Sequence, residues 1–376
     1  MATTSDRTPG RPAVANDALF TPYEHGGLTL PNRIVLSPLT RNRAVGTVPN
    51  ALMAEYYAQR ASAAILIAEG TQPAAVGQGY LDTPGLHTDE QQAGWAKVVE
   101  AIEAAGPARF VIQVMHTGRV AHPSYTGGEQ PVAPSVVQAP GEVFTPEGQR
   151  PYVEPRALGT DELETVKAQY VEAARRAVDA GAYGIELHAA NGYLLHQFLS
   201  ENTNQRTDGY GTDVAGRIRF VVEVVDAVVA EIGAGRTAIR LSPNHQVNGI
   251  EETDPKSTYA ALYAELARHD LLYVHLLDSS KFAGYDVIAQ ARELYPGTLI
   301  ANAGFSQEWD AAGAAERIED GRIDLVAFGR PFLANPDLPR RLRENAPLNE
   351  PDRETFYGGG AEGYTDYPTL DAVTTG

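Results

Sequence analysis

Short runs of apolar, β-branched residues recur along the chain, and most are followed by a stretch in which apolar positions return every three or four residues. The runs Arg33–Ser37, Ala64–Glu69, Arg109–Met115, Tyr183–His188, Thr237–Leu241, Tyr273–Asp278, Thr298–Asn302 and Asp324–Phe328 read as strands. Continuous segments such as Ile65-Leu-Ile-Ala68 and Leu325-Val-Ala-Phe328 suit strands covered on both faces, as in a parallel sheet. Helical patterns fill the intervals. Glu90–Ala105 sets Trp95, Val98, Val99 and Ile102 on one stripe, and Asp161–Ala180 starts behind Thr160 as its N-cap and stops at Gly181. Ile218–Ile232, Thr258–His269, Tyr285–Leu294 and Gln307–Glu319 follow. Eight strands alternating with helices predict an α/β chain folded as a (β/α)8 TIM barrel.

The 376 residues exceed the typical barrel, which has about 250. The surplus falls in the N-terminal segment to Pro31, in insertions after the third strand (Thr117–Leu158) and the fourth (Asn191–Val214), and in the C-terminal tail. Gly26-Gly27 marks an N-terminal hairpin expected to plug the barrel bottom. No linker divides the chain, so residues 18–376 are read as one barrel domain. Residues 1–17 are rich in Thr, Pro and Ala without an apolar core, which predicts a disordered tail and no signal peptide. No window reaches the roughly 18 unbroken apolar residues of a membrane span. The best candidate, Phe220–Ile232, is broken by Glu223, Asp226 and Glu231. A soluble, cytoplasmic protein is the expectation.

Composition then narrows the chemistry. Thirty Lys and Arg stand against 48 Asp and Glu, a net charge of −18, which argues against a nucleic-acid partner. The absence of cysteine excludes a disulfide framework, a Cys-ligated zinc, a cysteine-held iron–sulfur cluster and a Cys nucleophile.

In a barrel enzyme the active site lies at the C-terminal strand ends. Here those ends carry Ser37-Pro38-Leu39-Thr40-Arg41, Gly70, Gln113 with Met115 and His116, His188 to Tyr193, Arg240, Asp278 to Lys281, Asn302-Ala303-Gly304 and Gly329-Arg330. Such a polar ring needs mutual partners, water or a ligand. Loops after the seventh and eighth strands are the usual phosphate site of this fold. Gly304 and Gly329 let backbone approach an anion there, and Arg330 adds a forked cation. The pairs His116/His122 and His188/His196 lack a third ligand at metal spacing, so no metal is expected. Gly358 to Gly363 fits G-x-G-x-x-G, but without strand and helix around it reads as a flexible tail loop. Lys281, one of four lysines, leaves a Schiff-base lyase open as a distant alternative.

The run His188-Ala-Ala-Asn191-Gly-Tyr193-Leu-Leu-His-Gln197-Phe198-Leu resembles the signature of the old yellow enzyme family of FMN-dependent ene-reductases. So do Asn32 to Arg41, Glu69-Gly70-Thr71, Asn302-Ala-Gly304-Phe305, Phe328-Gly329-Arg330-Pro331-Phe332 and Gly363-Tyr-Thr-Asp-Tyr-Pro368. These six motifs run in order from about Leu19 to Leu370.

The resemblance implies an FMN site built from Pro38, Leu39, Thr40, Gly70 and Gln113 around the flavin ring, with Arg240 near its N1 and C2 carbonyl. Asn302, Ala303, Gly304, Phe305, Gly329 and Arg330 would surround the phosphate. It further implies that His188 and Asn191 bind the activating oxygen of an alkene substrate, that Tyr193 is the proton donor, and that NADPH or NADH supplies hydride. Tyr80, Met115, Phe282 and Tyr357 are candidate pocket walls. Enones, enals, maleimides and nitroalkenes would be reduced at the C=C bond; nitrate esters or nitroaromatics are alternative substrates of the same site. A monomer or homodimer is expected, with a small activated alkene as partner. Many relatives have Trp at the Met115 position. The usual Tyr-Gly-Gly-Ser-x-Glu-Asn-Arg appears as Tyr210-Gly-Thr-Asp-Val-Ala-Gly216-Arg217, where Thr212 or Asp213 can cap the next helix. Another branch carries Cys at the Thr40 position, so this chain falls in the classical branch.

Overall fold

A computed structural model of the chain describes residues 16–305 and 309–374. Eight parallel strands form a closed barrel: β1 (Ile34–Leu36), β2 (Ile65–Ile67), β3 (Arg109–Val114), β4 (Gly184–Ala189), β5 (Thr237–Leu241), β6 (Tyr273–Leu277), β7 (Leu299–Asn302) and β8 (Leu325–Phe328). Each pairs with the next, and β8 returns to β1 through Val326↔Ile34. The wall helices are α1 (Ala51–Ala58), α2 (Asp89–Ala105), α3 (Thr160–Asp179), α4 (Val214–Ile232), α5 (Pro255–Leu266), α6 (Val287–Leu294), α7 (Ala311–Glu319) and α8 (Leu338–Glu344). All eight predicted strands are present.

Strand pleating divides the apolar runs between two cores. Outward residues such as Leu66, Ile112, Val114, Leu187 and Ile239 pack under the helices. Inward residues Val35, Ile65, Ile67, Val111, Ala238, Ile300 and Leu325 fill the barrel. The hairpin Tyr23–His25/Leu28–Leu30 closes the lower end, with Tyr23, Leu28 and Leu30 in that inner cluster. Further along the same strands the inward positions turn polar: Gln113, Glu186, His188, Arg240, His275 and Asn302, all buried. The barrel therefore has an apolar floor and a polar upper layer, and the upper layer faces the strand ends.

Helix boundaries depart from expectation where local hydrogen bonds decide them. Gly159, not Thr160, is the N-cap of α3, because its N–H donates to Glu162 Oε2 at 2.7 Å while the Thr160 hydroxyl turns to Asp208. At α5, Asp254 accepts from Ser257 N–H and Pro255 opens the helix, three residues before the predicted start. At α6, Asp286 caps, so the helix begins at Val287. Asp310 caps α7, whose predicted start at Gln307 lies outside the described residues. In the altered Tyr210–Arg217 segment Asp213 is the cap, accepting from Gly216 N–H at 2.8 Å.

The predicted tail over residues 1–17 lies outside the described residues except for its end. There Asn16 is buried and donates to the Leu342 carbonyl, and Asp17 begins a 3-10 turn, so the fold starts by Asn16. No helix among the described residues is long and apolar enough to cross a membrane.

Two additions cover the barrel mouth. The insertion after β3 contains an antiparallel hairpin, Glu142–Thr145 with Gly148–Pro151. Arg119 joins that insertion to the loop after β5 through the carbonyls of Val137, Gln138, Asn248 and Gly249. The second addition is the tail around Gly358–Gly363. Read as flexible from sequence, it is fastened by buried Arg41 and Arg43, which donate to the carbonyls of Thr355, Phe356, Gly360, Glu362 and Gly363. The Tyr364 ring stacks on Tyr56 at 4.1 Å, with both guanidiniums against it.

Candidate active site

The polar layer opens into a cavity of about 890 Å³ at the C-terminal end of the barrel. A smaller pocket of about 120 Å³ adjoins it at the ends of β7 and β8. Pro38, Leu39, Arg240, Phe305 and Arg330 line both. Thr40, Gln113, Met115, His188, Asn191, Tyr193, Tyr80 and Tyr357 line the large one. Asn302, Ala303, Gly304 and Gly329 line the small one, with Trp309 beside them. Gly304 is needed for close approach, since a Cβ there would lie 2.8 Å from the Asp278 carbonyl oxygen.

Two predicted residues fall elsewhere. Gly70 is buried behind Met115, against whose side chain any Cβ would collide, so it makes room for a wall without being one. Phe282 lies outside the cavity, 36% exposed, with its edge against His245, and His245 in turn contacts Phe305. Lys281 is exposed on the short helix Ser280–Ala283 and lines neither pocket.

The segment after β4 presents its side chains through a forced turn. Asn191 and Gly192 both have positive φ, and a Cβ on Gly192 would crowd Asn248 at 2.8 Å. Buried His196 accepts the Gly192 N–H on Nδ1 and meets the Tyr259 hydroxyl at Nε2, which fixes the turn from beneath. His188 Nδ1 accepts from the Ala190 N–H, so in the neutral ring the hydrogen sits on Nε2. Burial, followed by the charge of Arg240, pushes its pKa well below the ordinary value and keeps it neutral. The Asn191 backbone is held by Ser242 and Asn248. The Tyr193 ring stands edge-on to His188 at 4.8 Å, and its hydroxyl is 2.8 Å from that of Tyr80. Burial pushes the Tyr193 pKa up to about 12, so the phenol keeps its proton at neutral pH.

Beneath the cavity runs a chain of buried groups. Gln113 Nε2 donates to Glu186 Oε1 at 2.7 Å, and Glu186 Oε2 lies 2.8 Å from His275 Nδ1. His275 Nε2 lies 3.1 Å from Asn302 Oδ1, which also accepts from Arg240 at 3.2 Å. Burial alone would push the Glu186 carboxyl up; His275, Arg240 and the Gln113 amide outweigh it and hold it below the usual range. Arg240 is itself buried, and its Nε has no hydrogen-bond partner among the described residues. A buried guanidinium with a spare N–H, lining both pockets, fits an oxygen-rich anionic ring system.

Sequence reasoning missed the outer walls. Tyr125, Glu142, Val143, Phe144 and Tyr152 come from the insertion, and Arg353, Glu354, Phe356 and Gly358 from the tail. Their only signal is the aromatic content of two segments without helical period.

Comparison with known proteins decides the family. Residues 18–349 match the model of the NADH:flavin oxidoreductase / NADH oxidase family.

The chain belongs to this family.

It is the old yellow enzyme family of the motifs above. 12-Oxophytodienoate reductase 1 of Oryza sativa subsp. japonica is 42% identical over 371 residues, covering 96% of this chain and 95% of that one. Morphinone reductase shares 45% identity at a TM-score of 0.89, over 95% of this chain and 97% of that one. The old yellow enzyme homologue from Zymomonas mobilis shares 39% identity at a TM-score of 0.90, over 94% and 100%. The protein is an FMN-dependent NAD(P)H ene-reductase of the old yellow enzyme type, and the donor set around Arg240 suits that cofactor.

Proposed function

We propose that the protein reduces the C=C bond of enones, enals, maleimides and nitroalkenes, with His188 and Asn191 as oxygen-binding donors and Tyr193 as the acid. The observation that carries this reading is the convergence of these three side chains, on one turn, in the cavity lined by Arg240. When bound, FMN supplies the hydride it has taken from NADPH or NADH.

The residues do the remainder. His188 Nε2–H and the Asn191 amide donate to one carbonyl or nitro oxygen. Negative charge builds on that oxygen as the β-carbon is reduced, so donors already aimed at it lower the barrier. A neutral His188 loses no proton to the substrate. Tyr193 delivers its proton to the α-carbon. Arg240, buried and cationic, would favour an electron-rich flavin ring held against it. Pro38, Leu39, Thr40 and Gln113 would enclose that ring, with Gly70 behind Met115. Asn302, Ala303, Gly304, Phe305, Gly329 and Arg330 would surround the phosphate. Tyr80, Met115 and Tyr357 wall the substrate space. The whole of residues 18–376 serves this one site.

The names of the relatives, 12-oxophytodienoate reductase and morphinone reductase, support an enone substrate. Nitrate esters and nitroaromatics remain substrates the same donor pair would accept. The Schiff-base alternative loses its ground, because Lys281 is outside the cavity.

Tyr193→Phe is the test. It should slow reoxidation of the reduced enzyme by cyclohexenone at least about tenfold and leave reduction by NADPH unchanged in stopped-flow traces at the flavin band. Equal losses in both half-reactions would remove Tyr193 from the role. Turnover with cyclohexenone, a maleimide and a nitrate ester ranks the substrate classes.

A further inference from the structure

Gln113 is the polar amide that lines the large cavity from β3. An amide offers an oxygen on one side and an NH2 on the other, and the two ends are nearly equal in size. Which end faces the cavity therefore depends on what holds the other. Here the NH2 is committed: Gln113 Nε2 donates to Glu186 Oε1 at 2.7 Å. Glu186 is fully buried and sits opposite Gln113 across the β3–β4 ladder. Its carboxylate can only accept. With one hydrogen of the NH2 held there, the two ends of the amide cannot exchange, and the Gln113 oxygen is the acceptor that remains to be offered to a ligand.

The carboxylate is in turn prevented from rotating. His275, also fully buried, approaches its second oxygen with Nδ1 at 2.8 Å. The other ring nitrogen of His275 reaches Asn302 Oδ1 at 3.1 Å. That atom must be the oxygen, because Arg240, which can only donate, points to it at 3.2 Å while Asn302 Nδ2 donates to the Ala303 carbonyl at 2.8 Å. Both ring nitrogens of His275 thus face acceptors, and the neutral ring that burial favours can donate to only one of them; the ionised Glu186 carboxylate, the stronger acceptor, takes it from Nδ1.

We propose that Glu186, held by His275, is a positioning residue that sets the polarity of Gln113, so that the protein presents a carbonyl acceptor to the one ring N–H of oxidised FMN, at N3. The proposal rests on the reading that Gln113 borders the flavin ring. Glu186 touches neither cofactor nor substrate and acts through Gln113. Replacing it by Gln keeps size and shape but supplies both a donor and an acceptor. Gln113 could then turn either way, and the fixed acceptor would be lost.

The experiment compares FMN with 3-methyl-FMN, which lacks that N–H, on the full-length protein reconstituted with each, with Kd read from quenching of flavin fluorescence. Wild type should prefer FMN. In Glu186→Gln the preference should shrink about tenfold, the order of one hydrogen bond to a charge-fixed partner, and Gln113→Leu should shrink it as much. A merely structural role for Glu186 would weaken both flavins equally and leave their ratio unchanged, which would overturn the proposal. An unchanged ratio in Gln113→Leu would instead overturn the placement of Gln113 at the ring. If Glu186→Gln does not fold, His275→Asn carries the same test by releasing the carboxylate from its other tether: a reduced ratio supports the proposal and an unchanged one overturns it.

Discussion

The hydroxyls of Tyr80 and Tyr193 are 2.8 Å apart, and only one hydrogen can lie on the line between them. If Tyr80 supplies it, the Tyr193 hydrogen is free to point into the cavity, and the oxygen left after proton transfer keeps a donor. That hydrogen bond works against the burial that pushes Tyr193 up to about 12. Tyr80→Phe should accordingly slow enone-driven reoxidation by about tenfold, the cost of one hydrogen bond to a charged group, while reduction by NADPH keeps its rate. Stopped-flow traces of the two half-reactions check this; an unaltered oxidative rate would leave Tyr80 as a wall only. The sequence marked Tyr80 as a wall, and the pairing was invisible because 113 residues separate the two phenols. His188, Asn191 and Tyr193 were legible for the opposite reason: they lie within six positions on one turn. Phe282 misled because its strand end is correct but the short helix Ser280–Ala283 turns it outward onto His245.

Elements were legible where burial imposes a period. The barrel strands are short and apolar on both faces, and α2 carries its stripe as read. The hairpin Glu142–Pro151 was not legible, since only Val143 and Thr145 of its eight strand residues are buried. Nor was the tail, whose course is set by arginine-to-carbonyl bonds and leaves no apolar repeat. Its anchor includes Glu69, which accepts from the Arg41 N–H at 3.1 Å and is fully buried. Burial pushes the Glu69 carboxyl up to about 7, against the opposing pull of Arg41 and Arg43. Between the unfolded value, near 4.5, and about 7 the folded protein keeps a proton that the unfolded chain has released. Glu69 thus contributes stability that is present below that window and is lost as pH rises through it. Glu69→Gln keeps an acceptor for the Arg41 N–H and does not titrate. Its stability relative to wild type should rise from pH 5 to pH 8, by at most about 3 kcal/mol, in urea unfolding at successive pH values. A constant difference between the two proteins would show that Glu69 is ionised in the fold throughout.

On the scale of the molecule, a net charge of −18 surrounds a site that receives a dinucleotide anion. The large cavity does little to reverse it: Arg41, Arg240, Arg330 and Arg353 line it against Asp82, Glu142 and Glu354. Arg240 moreover shares its buried layer with the ionised Glu186, which offsets its charge. An approaching nicotinamide cofactor therefore meets a repulsive outer potential, and only close contacts attract it. Salt screens the first far more than the second, since the Debye length falls from about 30 Å at 0.01 M to about 8 Å at 0.15 M. The kcat/KM for NADPH should then increase severalfold between those ionic strengths, the reverse of the usual decline for a positively steered anionic ligand. Cyclohexenone, being neutral, should show no comparable change in the oxidative half-reaction measured in the same buffers. The two half-reactions separate the effect from any influence of salt on folding or on flavin retention, which would move both. If kcat/KM for NADPH instead fell with salt, the arginines at the mouth would be steering the donor despite the acidic shell, and Arg330 and Arg353 would be the residues to neutralise next.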